Sequence, residues 1–382
     1  MKKLKLKTPV LLLDEEKCRR NISFMTEKAK KHNLILRPHF KTHQSMIIGE
    51  WFRDQGTTKI TVSSVTMAWY FAKKGWKDIC IAFPFNLHEM NEASELAKKV
   101  NLHLTVSSAE TSRFIEKYID SEAGIYIKTD TGYRRTGVPF DNITEIDKIL
   151  ETTTKSKKLH FTGFLVHNGH TYQAPSPGEI TRIHEDSNRR LMRLKERYKE
   201  MAGVTGGAGT GGGEPILSTG DTPSCSISEN FSGIDEIRPG NYVFYDLAQH
   251  HLGSCKTSQI ALALAVPVVA THAERNELVV YGGAVHLSKE HLVLDTGLQV
   301  WGQVVRIHPD GGWSDPVPDA YVTKVSQEHG ILKCDNEFFG QIRIGDFLGI
   351  LPVHSCLTAD LMKGYTTVDG EKVDHLSAIS PE

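Results

Sequence analysis

The chain has 382 residues, with 45 Lys plus Arg against 46 Asp plus Glu and a formal net charge of −1. That length leaves room for one large domain and a smaller one, and the charge balance gives no field that would draw the chain to nucleic acid or to an anionic membrane. No apolar run approaches the length of a membrane span, so the expected partner is a small molecule. The first stretch turns from basic to apolar, but the apolar piece Pro9 to Leu13 is too short for a secretory h-region and runs into acids; it reads as a strand. Six cysteines, Cys18, Cys80, Cys225, Cys255, Cys334 and Cys356, are scattered without short spacing, which predicts free thiols and a cytoplasmic location.

After that strand, Asp14 is placed to cap a helix whose Ile22, Met25 and Ala29 recur at helical spacing. Short apolar runs then appear at Leu34 to Leu36, Lys59 to Val62, Asp78 to Ala82, Leu102 to Val106, Gly124 to Lys128, His160 to Val166, Pro215 to Ser218 and Asp235 to Ile237, with helix-compatible stretches between them. Eight such strands fit an α/β fold of the (β/α)8 TIM-like barrel type better than an open doubly wound sheet. Beyond about Cys255 the texture changes to β-branched runs broken by turns, at Ile260 to Val269, Glu277 to Val280, Tyr321 to Val325 and Phe347 to Leu351, which predicts a C-terminal antiparallel β domain. The expected division is a barrel over 14–252 and a β domain over 253–382, with residues 1–13 supplying a strand to the latter.

The chemistry-bearing residues fall where strands end. Arg37-Pro38-His39-Phe40-Lys41-Thr42-His43 follows the first barrel strand. A lone lysine in such a place is ordinarily solvated. Here His39, Lys41 and His43 stand at alternate positions, so an extended segment would turn all three to one side and make Lys41 a candidate Schiff-base nucleophile. Asp130 to Val138 follows the strand at Gly124, and its glycines allow a sharp turn that presents one of Arg134 and Arg135 inward. The glycine run Gly203 to Gly213 lacks a Gly-Lys-Ser or Gly-Lys-Thr ending, so a nucleotide site is set aside. A phosphate monoester fits better at Ser218, Thr219, Gly220 and Thr222, where hydroxyls and backbone N–H groups gather, with Gly240 and Asn241 offering more after the next strand. Finally, His354 and Cys356 are spaced so that both would face one metal ion from an extended segment; alone, such a pair is a weak signal, because a buried Cys is usually a small hydrophobe.

Taken in order, Arg37 to His43, Gly132 to Val138, Ser218 to Ser224, Arg238 to Asp246, Gln327 to Gly330 and Pro352 to Cys356 resemble the motifs of the D-serine dehydratase and D-threonine aldolase family, alanine-racemase-like pyridoxal-phosphate enzymes of fold type III. The resemblance covers nearly the whole chain. It implies that Lys41 holds pyridoxal 5'-phosphate, that the turns at Ser218 to Thr222 and at Gly240 and Asn241 hold its phosphate, and that Arg135 faces the pyridine nitrogen. An arginine there leaves the ring neutral and the cofactor a weaker electron sink. Arg134 is then the solvated one, with the reverse left open, and His167 and Tyr172 are the candidates beside the ring. The resemblance further implies zinc (Zn2+, with Mn2+ as the alternative) on His354 and Cys356, a supporting role for Gln327 to Gly330, and a homodimer whose partner completes the active site. Typical D-threonine aldolases of the family carry Asp where this chain has Cys356, which points to the dehydratase branch. The implied activity is β-elimination of a D-3-hydroxy amino acid, D-serine above all, to a 2-oxo acid and ammonia. The alternatives are a D-threonine aldolase, which breaks Cα–Cβ to give glycine and an aldehyde, and a D-threo-3-hydroxyaspartate dehydratase. A non-catalytic pyridoxal-phosphate carrier lacks the β domain with His354 and Cys356, and a cofactor-free barrel leaves the Lys41 segment unexplained. Tyr133 and Arg134 depart from the family's pattern, where small residues are expected before Arg135.

Overall fold

A computed structural model of the chain describes residues 6–199, 214–309 and 311–376; the glycine run at 203–213 lies outside them. The chain divides into two units, one made of Met1–Phe24, Thr42–Trp51 and Asn241–Ile379, the other of Met25–Lys41, Phe52–Gly240 and Ser380–Glu382. The sequence placed the division after residue 252, whereas the first unit also takes in the segment from Asn241 and the stretch after Lys41. Two carboxylates of that unit account for this. Asp374 accepts from Ser45 Oγ, Met46 N and Ile47 N, and Asp246 accepts from Ser355 N and Oγ, so both segments are tied to the C-terminal part of the chain.

Strand β1 (Val10–Leu13) belongs to the first unit; the second unit holds β2 (Ile35–Leu36), β3 (Lys59–Val62), β4 (Asp78–Pro84), β5 (Asn101–Val106), β6 (Ala123–Asp130), the two-residue β7 (Val138–Pro139), β8 (Leu159–Leu165), β9 (Ile216–Thr219) and β10 (Glu236–Ile237). Its main sheet runs β2-β10-β9-β8-β6-β5-β4-β3, all parallel, and contains the eight strands expected from the sequence. The barrel is closed just past β2. Phe40 N donates to Thr61 O at 2.8 Å, Thr61 N to Pro38 O at 2.9 Å, and His39 N to Pro239 O at 2.9 Å, so residues 38–40 form the seam between β10 and β3. The strands are apolar on both faces, as in Ile79-Cys80-Ile81 and Ile125-Tyr126-Ile127, all buried. Helices between the strands start where Ser64, Ser108, Asn142, Ser176 and Asp221 each accept a hydrogen bond from the backbone three residues on.

The barrel's buried polar core is a charge network. Arg37 donates to Glu236 and to Asp78, Ser218 Oγ donates to Glu236 at 2.6 Å, and Arg238 Nε donates to Ser218 Oγ at 2.6 Å. Burial opposes charge on Glu236, yet Arg37 and the Ser218 hydrogen bond hold its carboxyl below the usual range.

In the first unit, β1 is joined by β11 (Leu262–His272), β12 (Glu277–Tyr281), a small hairpin of β13 (Leu292–Val293) and β14 (Gln299–Val300), β15 (Gly302–Arg306), β16 (Tyr321–Val325), β17 (His329–Lys333), β18 (Phe347–Pro352), β19 (Tyr365–Thr367) and β20 (Lys372–Val373). The large sheet runs β12-β17-β16-β15-β18-β11-β1-β19-β20, and β11 also pairs with β12, which closes six of its strands into an antiparallel barrel. Strand β1 pairs antiparallel with β11, Leu11 opposite Leu264, and parallel with β19.

Candidate active site

Lys41 comes directly after the barrel seam. Phe40 turns inward onto Phe52, Phe71 and Trp76, with ring centroids 5.0, 4.9 and 5.1 Å away, and this anchor starts a turn at residues 40–43. The segment is therefore not extended, and the expectation that His39, Lys41 and His43 face one way is corrected. His43 is fully buried in the first unit, its Nδ1 accepts Ser45 N, and burial lowers its pKa to about 3 against the pull of Asp374. His39 does share its surroundings with Lys41. Burial, and after it Lys41, Arg238, His167 and Lys128, hold its pKa well below the usual value.

Lys128, near the end of β6, is a buried lysine that sequence reasoning passed over as the end of a strand. Burial and the positive charges of Arg238, Arg135 and Lys41 hold its pKa well below that of a solvated lysine. Cations crowded in this way, beside histidines kept neutral, favour an anionic ligand. His167 Nδ1–H donates to Gly220 O at 2.8 Å, and burial followed by Lys128 lowers its pKa, so the ring is neutral with its lone pair on Nε2. Tyr172 is exposed, its ring lies 6.1 Å from that of His167, and its hydroxyl accepts from Thr222 N at 3.3 Å. Arg135 places its guanidinium 5.0 Å over the Tyr133 ring, which in turn stacks on His170. The departure at Tyr133 thus supplies a platform for Arg135. Gly169 leaves it room, since a Cβ there would lie 2.2 Å from the ring. Arg134, at φ 58°, has its backbone N–H bonded to Asp130, and both it and Arg135 are solvent-exposed, so the expectation that one of the two turns inward is corrected.

At the end of β9, Thr219 Oγ1 and Thr222 Oγ1 are buried with no hydrogen-bond partner among the described residues. Each such hydroxyl costs about 1–3 kcal/mol unless a ligand or water meets it. Gly220 is required between them, because a Cβ there would sit 2.7 Å from Arg238 N. Ser218, expected in the same cradle, is committed instead to Arg238 and Glu236 in the charge network. Asn241 also differs from expectation: its Nδ2 donates to Asp246 at 2.6 Å and lies 3.4 Å from Cys356 Sγ, so it serves the His–Cys site of the first unit. Gly240 follows Pro239, whose carbonyl takes part in the seam.

His354 and Cys356 do not lie on an extended segment. His354 is the residue before the helix Ser355–Met362, and Cys356 is in its first turn, because Asp246 captures Ser355 N at 3.0 Å and turns the chain. Their side chains still meet through a hydrogen bond. Burial opposes charge on His354, yet bonds to Cys356 and Glu290 push its pKa up to about 11. Burial likewise opposes a thiolate at Cys356, but His354 lowers its pKa. Cys356 Sγ lies 3.6 Å from Thr42 Oγ1. The Gln327 to Gly330 turn bonds elsewhere: Gln327 O and Glu328 O accept from Val285 N and Gly282 N. Among the described residues no group of three or more His, Cys, Asp or Glu side chains is arranged to hold a metal ion, and all six cysteines are free thiols.

The family model of the alanine racemase N-terminal domain matches residues 13–247. The chain belongs to that family. A second model, the putative serine dehydratase domain, matches residues 261–368, which places the chain in the D-serine dehydratase and D-threonine aldolase family within the alanine-racemase-like enzymes. A D-serine dehydratase of Dictyostelium discoideum is 28% identical, with 96% of this chain and 94% of the relative covered. The D-threo-3-hydroxyaspartate dehydratase of Delftia sp. HT23 has a solved structure that is 26% identical with a TM-score of 0.88, covering 98% of this chain and 99% of that one. A cysteine-to-alanine variant of that enzyme has been solved in a metal-free form. A 3-hydroxy-D-aspartate aldolase of Paracoccus denitrificans is 24% identical over 100% of this chain and 93% of the relative. The family implies pyridoxal phosphate, and this alanine-racemase-like barrel fits it: two orphaned threonine hydroxyls for a phosphate, a neutral His167, and Lys41 amid cations. Among the described residues no helix is long and apolar enough to cross a membrane.

Proposed function

We propose that the chain is a pyridoxal-phosphate- and zinc-dependent D-serine dehydratase, which converts D-serine to pyruvate and ammonia. The observation that carries this reading is the His354–Cys356 pair, an imidazole hydrogen-bonded to a thiol. An imidazole and a soft thiolate suit zinc better than magnesium or manganese, and an ion with two protein ligands keeps positions open for a hydroxyl. Manganese is the alternative ion.

Lys41 Nζ would hold the cofactor covalently, the hydroxyls of Thr219 and Thr222 its phosphate, Arg135 the side of its ring nitrogen, and His167 with Tyr172 its face or edge. When bound, pyridoxal phosphate supplies an electron sink at Cα of the substrate, and Arg135 in place of a carboxylate keeps that sink moderate. Zinc, when bound, supplies a Lewis acid that makes the β-hydroxyl a better leaving group. Lys41 Nζ, when free of the cofactor, would take the proton from Cα of the substrate. Lys128, whose pKa is held down by burial and by its cationic neighbours, stands in the same surroundings. The balance is loss of one water from D-serine across Cα–Cβ, then its return in hydrolysis to pyruvate and ammonia.

A D-threo-3-hydroxyaspartate substrate is an alternative supported by the Delftia relative and by the cations around Lys41, which would accept a second carboxylate. Retro-aldol cleavage uses the same groups, and the Paracoccus aldolase supports it as the second reading. A homodimer is supported by the exposed Val293 and Leu298 of the small hairpin and the exposed Leu357 and Leu361 of the helix Ser355–Met362. A cytoplasmic location is supported by the six free thiols. The testing experiment is metal removal. Chelator treatment should abolish pyruvate formation from D-serine and leave the cofactor's visible absorbance in place, and zinc should restore the activity. Full activity in metal-free protein would contradict the proposal.

A further inference from the structure

Glu290 stands outside every motif singled out in the sequence, yet its Oε2 lies 2.5 Å from His354 Nδ1. The carboxylate is itself well placed. Its own N–H is held by Ser288 Oγ at 3.1 Å, the preceding Lys289 carbonyl accepts from the Trp301 indole at 3.2 Å, and His291 Nε2 is 2.8 Å from Gln299 Nε2. The Glu290 loop leaves the helix Ala284–Leu287 through Ser288, at φ 71°, an unusual backbone for a residue other than glycine. Three bonds and a left-handed turn thus fix the backbone that carries a side chain more than half exposed. As a surface ion pair it would contribute little to stability, so stability does not account for the arrangement.

We infer that Glu290 is a positioning residue for metal binding: by engaging His354 Nδ1 it orients the imidazole so that Nε2, together with Cys356 Sγ, is presented to a zinc ion. The inference rests on the metal reading above. A carboxylate on the far nitrogen of a ligating histidine fixes tautomer and ring orientation and raises the basicity of the ligating nitrogen. Among the described residues no three His, Cys, Asp or Glu side chains are arranged to hold an ion, so two side chains would define the site. Orientation of each then weighs more than in a closed four-ligand site. The thiol has its own support in Asn241 Nδ2 at 3.4 Å, and Glu290 is the matching support on the histidine side.

The test is zinc affinity, read by competition with a chromophoric chelator, with cobalt(II) substituted for zinc as a spectroscopic reporter. Glu290→Ala should weaken zinc binding by about 10–100-fold. Its cobalt form at saturating metal should keep the thiolate-to-metal absorption of the parent, since both ligands remain. Glu290→Gln, whose amide oxygen still accepts from Nδ1–H, should recover part of the affinity. Thermal melting and borohydride-fixed cofactor mass should match the parent in both variants, which separates positioning from loss of fold. Unchanged zinc affinity in Glu290→Ala overturns the inference alone. A cobalt spectrum showing a lost ligand overturns it in favour of direct ligation. A parent protein that binds no zinc overturns the metal reading and this inference with it.

Discussion

Lys41 directly follows the seam at residues 38–40 and the Phe40 aromatic anchor within it, so its chemistry depends on a few side chains that can be changed singly. Borohydride reduction of the cofactor-loaded protein should add the cofactor's mass to the Lys41 peptide, and Lys41→Ala should take up none and lose activity by about 10²–10⁴-fold or more. Labelling that persists in Lys41→Ala would show that another amine, Lys128 first among them, carries the cofactor. Gly220→Ala should loosen the phosphate cradle, because the added Cβ meets Arg238 N at 2.7 Å, a backbone atom that cannot swing away. The expected outcome is weaker retention of pyridoxal phosphate in equilibrium dialysis; parental retention would mean the turn is not the phosphate site. The strand-end positions of Lys41, Thr219 and Thr222 were legible because each sits in a polar run at the end of an apolar strand. Lys128 was not, since it looks like the polar end of a strand until burial and the charges of Arg238 and Arg135 are known. Glu290 was hidden for the same reason: its partner His354 is 64 positions away.

At the scale of elements, the parallel strands announced themselves as apolar runs, and so did the cap at Asp14, whose carboxylate accepts from Lys17 N at 2.9 Å. The short elements did not. The segment at His354 reads as a continuation of β18, but Asp246, 109 positions earlier, accepts from Ser355 N and begins a helix instead. The segment at His43 fails in the same way, where Phe40 packs inward and the chain turns. Ser218 illustrates a third kind of miss: a hydroxyl in a phosphate-like turn is claimed by Arg238 and Glu236, a competition visible only once β9 and β10 are paired. That network gives an element-scale prediction. Glu236→Gln leaves the guanidinium of Arg37 without its buried carboxylate partner and should destabilise the barrel by about 3–5 kcal/mol in denaturant unfolding. A loss below about 1 kcal/mol would mean that Asp78 alone suffices for Arg37.

For the whole molecule, the buried neutral histidines set the acid limit of stability. His184 illustrates the sign: burial lowers its folded pKa from 6.5 to about 4. A depressed value means that the unfolded chain takes up the proton first. Its contribution is therefore full above pH 6.5 and lost as pH falls toward 4, worth about 3 kcal/mol at most. Burial also lowers His39, His43 and His167, so the melting temperature should fall from pH 6.5 downward, and His184→Gln should make that fall shallower. A pH-independent melting temperature between 6.5 and 4 would contradict the neutral assignments. Reaction type is decided by product. The purified holoprotein should be incubated with D-serine and D-threonine, with the L-isomers as controls, and assayed for pyruvate or 2-oxobutyrate against glycine and acetaldehyde. A zinc-bearing His354–Cys356 site predicts ammonia with pyruvate from D-serine and 2-oxobutyrate from D-threonine, and nothing from the L-isomers. Glycine and acetaldehyde as the main products from D-threonine would contradict the dehydratase assignment and put the aldolase in its place.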